Sequence, residues 1–281
     1  VPGAMPTASG DVPTIAAAGT ATDAPPVASA VPAAQILNVR TDVLDVDISL
    51  RGGEFVRADL VQYPVVKGQP EVVRLFRNNG TGNTYLLQTG LAGAGAATGA
   101  FPTHLAEFTS DFTGFEMLPG LDELRVPLKW TSPEGVMVVK TYVFRRGSYQ
   151  IDVEYEVTNA SGSPWSVAPY SQILHDMPPV KRSYFNVNSY AFTGPAIWDG
   201  TKYDKLDTGD SDDASLNRDI TGGWMAALQH HFVTAIAPGI AETDRYTLKA
   251  RGQEYLATVV GPTRTIGAGE TGQISSTLFV G

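Results

Sequence analysis

Apolar and polar side chains alternate at a period of two from residue 43 to residue 50. Val46 and Ile48 occupy one set of alternate positions, and Asp45 and Asp47 occupy the other. Successive side chains of a strand point to opposite faces, so the segment is predicted to be a half-buried β-strand. Both aspartates are then expected to face water, where they keep an early strand soluble.

A pair of glycines interrupts this alternation. Gly52 and Gly53 follow Arg51, and a second alternating run covers residues 54–61. Glycine adopts the positive φ angles of tight turns and bulges without steric cost. We therefore predict a hairpin here, with residues 54–61 as the returning strand.

The same period recurs along the rest of the chain. Residues 146–148 separate two long alternating runs, and Gly147 is available for a hairpin connection between them. Together with the run before them, residues 123–130, these two runs predict a three-stranded meander. The predicted strands are residues 123–130, 136–145, 149–158, 224–228, 232–236, 244–248, 255–260 and 274–280.

Residues 170–222 have a different composition, rich in Pro, Gly and Asp. Because these residues interrupt regular secondary structure, we predict short strands and long connections in that region. Only residues 213–219 are expected to form a helical turn or two. Many short strands with very little helix predict an all-β fold, and the length favours a large sandwich of two sheets.

The first 34 residues are almost entirely Ala, Pro, Thr, Val, Gly and Ser. Such a segment buries too little apolar surface to offset the loss of chain entropy. We predict that residues 1–34 are a disordered tether and that residues 35–281 form a single domain.

Overall composition excludes several classes of function. The formal net charge of −9 disfavours nucleic acids and anionic lipid surfaces as partners, and the absence of cysteine excludes disulfides and thiolate sites. No run of about 18 apolar residues occurs, so the chain is not predicted to cross a membrane.

Four histidines are the first candidates for chemistry: His104, His175, His230 and His231. The adjacent pair is assigned to a strand, where neighbours point to opposite faces, so a shared metal ion is not expected. A histidine beside a carboxylate can act as a general base, and His175 precedes Asp176. The preferred interpretation of His175 is nevertheless a surface residue at the end of a strand.

Other catalytic patterns are weak. The chain lacks a G-x-S-x-G nucleophile motif, and the glycine-rich segment 93–99 has the wrong spacing for a dinucleotide-binding turn. The acidic pair Glu154 and Glu156 falls on a predicted solvent face, and Trp130 and Trp224 are assigned to the core. We therefore predict no catalytic residue, no metal site and no cofactor.

Aromatic and basic side chains are concentrated in the turn-rich middle of this acidic chain. Aromatics with local positive charge are typical of protein-binding surfaces. The alternative is that these aromatics only anchor long loops to the core. The predicted partner-binding residues are Lys181, Arg182, Tyr184, Phe185, Tyr190, Phe192 and Trp198.

Four motifs in order along residues 36–281 resemble one known family, the large periplasmic domain of the YidC membrane protein insertases of Gram-negative bacteria. Four motifs in register are more specific than any one of them. They are Thr41-Asp42-Val43-Leu44-Asp45 with Arg51-Gly52-Gly53, Lys140-Thr141-Tyr142-Val143-Phe144 with Arg146-Gly147-Ser148-Tyr149, Gly222-Gly223-Trp224-Met225-Ala226-Ala227-Leu228-Gln229, and Ser276-Thr277-Leu278-Phe279-Val280-Gly281.

The resemblance implies a β-supersandwich similar to galactose mutarotase, on the periplasmic face of the inner membrane. In that family the membrane-embedded helices perform insertion, and this domain is a non-enzymatic accessory. Its implied partners are Sec translocon components such as SecF, and nascent membrane proteins. Contact with the membrane would come only through transmembrane segments absent from this chain.

The alternative is a mutarotase-like carbohydrate-binding module or sugar epimerase. Mutarotation needs a general acid and a general base, in practice a histidine and a glutamate, on either side of the sugar ring. None of the four histidines is assigned to such a position, and a fold alone does not supply the activity.

Overall fold

The computed structural model describes residues 12–13, 15, 35–78, 84–94, 100–176, 192–252 and 254–281. Two sheets carry almost all of the regular structure. The larger contains β1 (Ile36–Arg40), β2 (Leu44–Ser49), β3 (Glu54–Pro64), β4 (Val72–Leu75), β5 (Arg77–Asn78), β6 (Thr84–Gly93), β7 (Gly114–Glu116), β11 (Trp165–Asp176), β14 (Asn217–Thr221), β17 (Thr243–Arg251), β18 (Glu254–Val260) and β19 (Arg264–Ile266). The smaller contains β8 (Glu123–Thr131), β9 (Val136–Arg145), β10 (Gln150–Asn159), β12 (Gly194–Trp198), β13 (Tyr203–Lys205), β15 (Trp224–Gln229), β16 (Phe232–Ala237) and β20 (Thr271–Val280).

The strand order of the larger sheet is β14-β17-β18-β11-β6-β3-β2-β1-β7, with β4, β5 and β19 attached at its sides. The smaller sheet runs β13-β12-β15-β16-β20-β10-β9-β8. The meander β8-β9-β10 is present as predicted, and β20, the last strand in sequence, pairs with both β10 and β16. The predicted all-β architecture with very little helix is therefore confirmed.

The first hairpin forms as predicted between β2 and β3. Gly52 and Gly53 have φ angles of +73° and +59°. Asp45 and Asp47 are only partly exposed, because the guanidinium of Arg57 on β3 lies 2.7 Å from one carboxylate and 2.6 Å from the other. The expectation that both aspartates simply face water was incomplete, because both form ion pairs with Arg57 on the neighbouring strand.

The prediction of short strands over residues 170–222 is wrong at its start. Strand β11 runs for twelve residues to Asp176 and lies at the centre of the larger sheet beside β6. Both strands are buried along nearly their whole length, so they lack the alternation that marks a half-buried strand. Residues 213–219, expected to be helical, form a single 3-10 turn at Asp213–Ser215 and then enter β14.

The core lies between the sheets. Polar links cross it as well as apolar contacts: the hydroxyl of Tyr85 on β6 donates to Thr234 on β16 at 2.5 Å, and Thr89 and Tyr142 hydroxyls are 3.1 Å apart. Trp130 is buried as predicted, whereas Trp224 is half-buried.

Within the predicted tether, Ile15 forms an isolated parallel bridge to Ala94. The domain boundary at residue 35 stays a prediction. In the described ranges, no helix has the length and apolar character needed to cross a bilayer.

Candidate partner-binding surface

Three aromatic side chains line up across β13, β12 and β15 at one edge of the smaller sheet. Trp198 is the register partner of Tyr203 on one side and of Trp224 on the other. The rings of Tyr203 and Trp224 have centroids 5.9 Å apart. Tyr203 is 42 % exposed, and the two tryptophans are half-buried. We call this set, Tyr203, Trp198 and Trp224, the aromatic row.

Positive charge lies next to the aromatic row. The ammonium of Lys205 is 5.1 Å from the centroid of the Phe192 ring, and Lys205 itself is exposed. Cation–π contacts of this kind fix a flexible lysine against an aromatic surface. Lys202, also exposed, pairs with Asp204 at 2.6 Å. The edge strand β13 therefore presents Tyr203 and Lys205 to solvent, and Lys202 lies exposed just before it.

Two of the seven predicted partner-binding residues, Phe192 and Trp198, are described and lie within this region. The other five lie outside the described residues: Lys181, Arg182, Tyr184, Phe185 and Tyr190. Tyr203 belongs to the same aromatic-rich segment but is not among the seven, and Trp224 was assigned to the core. The signal that would have assigned both to this surface is strand register, because both residues pair directly with Trp198.

His175 is buried, so its assignment as a surface residue was wrong. Its Nδ1 lies 2.5 Å from the carbonyl oxygen of Asp176, and its Nε2 accepts from the amide of Gln229 at 2.9 Å. The ring stacks on Tyr85, with centroids 4.1 Å apart. Burial lowers the pKa of His175 to about 4. A neutral imidazole with both nitrogens engaged holds β11 against β15, and it has no free position for proton transfer to a ligand.

The adjacent histidines were wrongly assigned to a strand. His230 and His231 form the two-residue turn between β15 and β16, and His230 has a φ of +35°. Their rings meet edge to face with centroids 3.7 Å apart. Within the described ranges, no group of three or more His, Asp or Glu side chains is placed to hold a metal ion.

His104 is buried in the segment that precedes β7. Its backbone amide and its Nδ1 lie 2.9 Å and 2.7 Å from the hydroxyl of Tyr170 on β11. Burial raises the pKa of Tyr170 far above its ordinary range. This pair fixes the segment over the larger sheet, and neither group is exposed to solvent.

Lys140 on β9 is a buried lysine that is not among the candidate residues predicted from the sequence. Its ammonium donates to the carbonyl oxygens of Gly52 at 2.9 Å, Gly53 at 3.3 Å and Thr89 at 3.1 Å. Burial lowers the pKa of Lys140 to about 7, while the charge of Glu54 opposes that shift. The sequence signal for its burial was spacing, because Lys140 lies two positions before the core residue Tyr142 and therefore on the same face of the strand. Its three donors are used to hold the hairpin turn, which is a structural role.

A chain of buried amides leads away from Glu54. Gln88 donates to the carboxylate of Glu54 at 2.6 Å, and Gln172 donates to Gln88 at 2.7 Å. Burial raises the pKa of Glu54. The three side chains lie on β3, β6 and β11, in one row across the larger sheet.

An open groove of about 620 Å³ lies between the segment 100–109 and β8, an edge strand of the smaller sheet. Phe101, Leu105, Lys129 and Trp130 are among its lining residues. Phe101 stacks on Trp165 with ring centroids 5.7 Å apart. Aromatic and polar groups thus share the groove, which is the composition of many small-ligand sites.

Comparison with known families decides the assignment. The family model described as the YidC periplasmic domain matches residues 36–281. The chain belongs to this family. The membrane protein insertase YidC of Thioalkalivibrio sulfidiphilus is 39 % identical over 271 residues, covering 93 % of this chain and 48 % of that protein. The YidC of Azotobacter vinelandii is 35 % identical over 286 residues, covering 100 % of this chain and 50 % of that protein. The chain thus spans about half the length of the curated YidC proteins it matches.

Solved structures outside the YidC family share the fold. A galactose mutarotase related enzyme from Lactobacillus acidophilus superposes with a TM-score of 0.55 at 10 % identity, covering 88 % of this chain and 97 % of that one. A putative aldose 1-epimerase from Escherichia coli K12 gives a TM-score of 0.50 at 10 % identity, covering 88 % and 98 %. The predicted β-supersandwich similar to galactose mutarotase is confirmed. At such low identity the likeness is one of fold alone.

Proposed function

We propose that this chain is a non-enzymatic accessory domain of a membrane protein insertase, located on the periplasmic face of the bacterial inner membrane. The family match carries this proposal, because it covers residues 36–281 and the matched relatives are named membrane protein insertases. The domain contributes protein–protein contacts while the membrane-embedded part of the insertase handles its substrates.

The aromatic row and the lysines beside it form the described part of the proposed contact surface. Exposed aromatic side chains supply large apolar area at little cost in conformational entropy, and such residues often dominate binding energy. Lys205 adds positive charge in a chain of net charge −9, whereas the charge of Lys202 is paired with Asp204. The partner class is a Sec translocon component such as SecF, or a nascent membrane protein, with an apolar patch bordered by acidic groups.

The chemistry of the buried polar groups supports a non-enzymatic role. His175 is neutral with both ring nitrogens engaged, and Nζ of Lys140 lies within hydrogen-bond distance of three backbone carbonyl oxygens. These groups stabilise contacts within the fold.

The surface is tested in the full-length insertase by crosslinking to SecF. Tyr203→Ala removes the most exposed ring of the aromatic row and is expected to reduce crosslinking at least twofold without changing the melting temperature by more than about 2 °C. Tyr63→Ala is the matched control, because Tyr63 is 47 % exposed but lies at the end of β3 in the other sheet. Equal crosslinking in the two variants would contradict the proposal.

A carbohydrate-binding module or sugar epimerase is the second candidate, favoured by the shared fold and by the aromatic groove beside β8. Titration with hexoses would then shift NMR signals of Trp130 and Phe101, and an epimerase would accelerate anomer interconversion. If hexoses shift no NMR signal and anomer interconversion is not accelerated, this candidate function is ruled out.

A further inference from the structure

Exposed apolar side chains are concentrated at one end of the molecule. Val65 and Val66, in the connection between β3 and β4, are 55 % and 59 % exposed. Leu118 and Leu121, which precede β8, are 56 % and 46 % exposed. We call these four residues the apolar tip. Eleven large apolar side chains are exposed in the described ranges, and five of them lie here, because Tyr63 adjoins the tip.

Hydrogen bonds join the two loops of the apolar tip through the turn between β9 and β10. The guanidinium of Arg146 donates to the carbonyl oxygens of the two leucines, at 2.8 Å and 2.9 Å. The next residue, Gly147, donates its amide to the carboxylate of Asp42 at 2.9 Å. The carbonyl oxygen of Asp42 in turn accepts from Gln62 on β3 at 3.4 Å. Both loops therefore lie at the same end of the two sheets.

Aromatic packing supports the base of the hairpin that carries the valines. The ring centroid of Tyr63 lies 5.7 Å from that of Phe232 and 6.2 Å from that of Tyr149. The amide of Val65 donates to the carbonyl oxygen of Glu71 at 2.8 Å and closes the hairpin. The valines are thus held out in solvent by a supported turn. A group of apolar side chains that the fold holds in water is typical of an interaction site.

The segments around the apolar tip carry little net charge, unlike the chain as a whole. They contain two cations and two anions. The segments are residues 62–71, 117–122 and 146–149, and the charged residues are Lys67, Arg146, Glu71 and Asp122. Adding Asp42 gives a local charge of about −1, against −9 for the chain. The net charge that disfavours an anionic lipid surface therefore lies mostly elsewhere on the molecule.

We propose that the apolar tip inserts into the interfacial layer of a phospholipid bilayer and so orients the domain on the membrane. This inference rests on the proposed function, which places the domain beside the inner membrane. A protruding turn with aliphatic side chains, bordered by Tyr63 and Lys67, suits that layer. The aliphatic groups reach the acyl chains, while the tyrosine ring and the ammonium group stay among the lipid headgroups.

The aromatic row lies at the opposite end of β15 from this contact. Trp224 begins β15, whereas Phe232, which follows the turn after β15, packs against Tyr63 beside the apolar tip. Insertion of the tip therefore directs the aromatic row away from the bilayer. In that orientation the row is accessible to protein partners in the periplasm.

The test measures flotation of the 281-residue chain with vesicles of phosphatidylethanolamine and phosphatidylglycerol, mixed at about 3:1. A variant that combines Val65→Ser and Val66→Ser is expected to lower the bound fraction at least about threefold, because it removes apolar groups that would enter the bilayer. Its melting temperature should change by less than about 2 °C, because both side chains are exposed. Raising NaCl from about 0.1 M to about 0.5 M should not weaken binding, since the contact is apolar.

Ile240→Ser is the matched control. Ile240 is 87 % exposed, and its carbonyl oxygen lies beside Gly222, at the end of the molecule that carries Trp224. This variant should float as well as wild type.

A single fluorescent label measures which end enters the bilayer. The chain contains no cysteine, so Val66→Cys and Ile240→Cys each take one label. Lipids with a nitroxide on the acyl chain are expected to quench the label at position 66 at least about twofold more than the label at position 240.

The proposal is overturned if wild type does not float with the vesicles, if the double valine variant floats equally well, or if both labels are quenched equally. If the double variant does not fold, Leu118→Ser replaces it, and undiminished flotation of that variant overturns the assignment. A double variant that loses crosslinking to SecF but still binds vesicles would also overturn it, in favour of a protein partner. Tyr203→Ala leaves vesicle binding unchanged, so the two proposals fail independently.

Discussion

His175 shows how a single polar side chain couples the core of this protein to pH. The folded protein holds the imidazole neutral against Gln229 and Asp176, and burial lowers its pKa to about 4. An unfolded chain binds a proton at His175 near pH 6.5. Between these values the unfolded state carries a proton that the folded state lacks, so stability falls as the pH falls.

We expect the free energy of unfolding to drop by about 2 kcal/mol between pH 7.5 and pH 4.5 through this residue, which is less than the full shift because pH 4.5 still lies above the folded-state pKa of about 4. Urea titrations across that range measure it. His175→Phe keeps an aromatic ring beside Tyr85 and should flatten the pH dependence, although its stability at pH 7.5 should be lower. An identical slope in both proteins would show that His175 does not titrate as expected. The carboxyls of Glu54 and Asp244, whose pKa values burial raises, act in the opposite direction in both proteins.

Lys140 and His175 are two residues whose surroundings the sequence did not predict, and the reason is the same for both. Their hydrogen-bond partners come from distant parts of the chain: Lys140 reaches Gly52 and Thr89, and His175 reaches Gln229. Local pattern reports which face of a strand a residue occupies, but it does not report what lies opposite.

The β2-β3 hairpin depends on glycine for two separate reasons. Gly52 has a φ of +73°, which L-residues with a side chain rarely adopt, and an added Cβ would lie 2.1 Å from the carbonyl oxygen of His104. Gly147 has nearly the same φ, +69°, but nothing lies within 4 Å of its added Cβ. Substitutions at the two turns therefore distinguish the cost of backbone strain from the cost of close packing.

Gly52→Ala is expected to destabilise the protein by about 3 kcal/mol or more, because strain and overpacking add. Gly147→Ala should cost about 1 kcal/mol from strain alone. Chemical denaturation of both variants measures the difference. Equal costs would mean that the segment carrying His104 moves aside without penalty.

Strands with one wet face were recognisable from sequence, and strands buried on both faces were not. The hairpin at Gly52 and the meander β8-β9-β10 alternate clearly, and both are present. Strands β6 and β11 are nearly continuous in burial and carry small, polar and proline residues, so no period marked them. The aromatic row depends on the pairing of β12 with β15, which a long connection separates, and of its three members only Trp198 was among the predicted binding residues.

At the scale of the molecule, one contiguous cluster of buried side chains includes residues of both sheets. A shared core favours cooperative unfolding. We expect a single urea transition, with midpoints from tryptophan fluorescence and far-ultraviolet circular dichroism that agree within about 0.2 M. Trp130 on β8 and Trp224 on β15 report opposite halves of the smaller sheet. Two separate transitions would divide residues 35–281 into more than one domain.

The placement of β20 sets the order in which this fold can be completed. Strand β20 follows all the other described strands along the chain, yet it pairs with β10 on one side and β16 on the other. Until it arrives, the meander β8-β9-β10 and the group β12-β13-β15-β16 have no strand between them, and their facing edges stay open. A chain that crosses a membrane amino end first would therefore remain incompletely folded, and exposed to edge-to-edge aggregation, until its final strand has crossed.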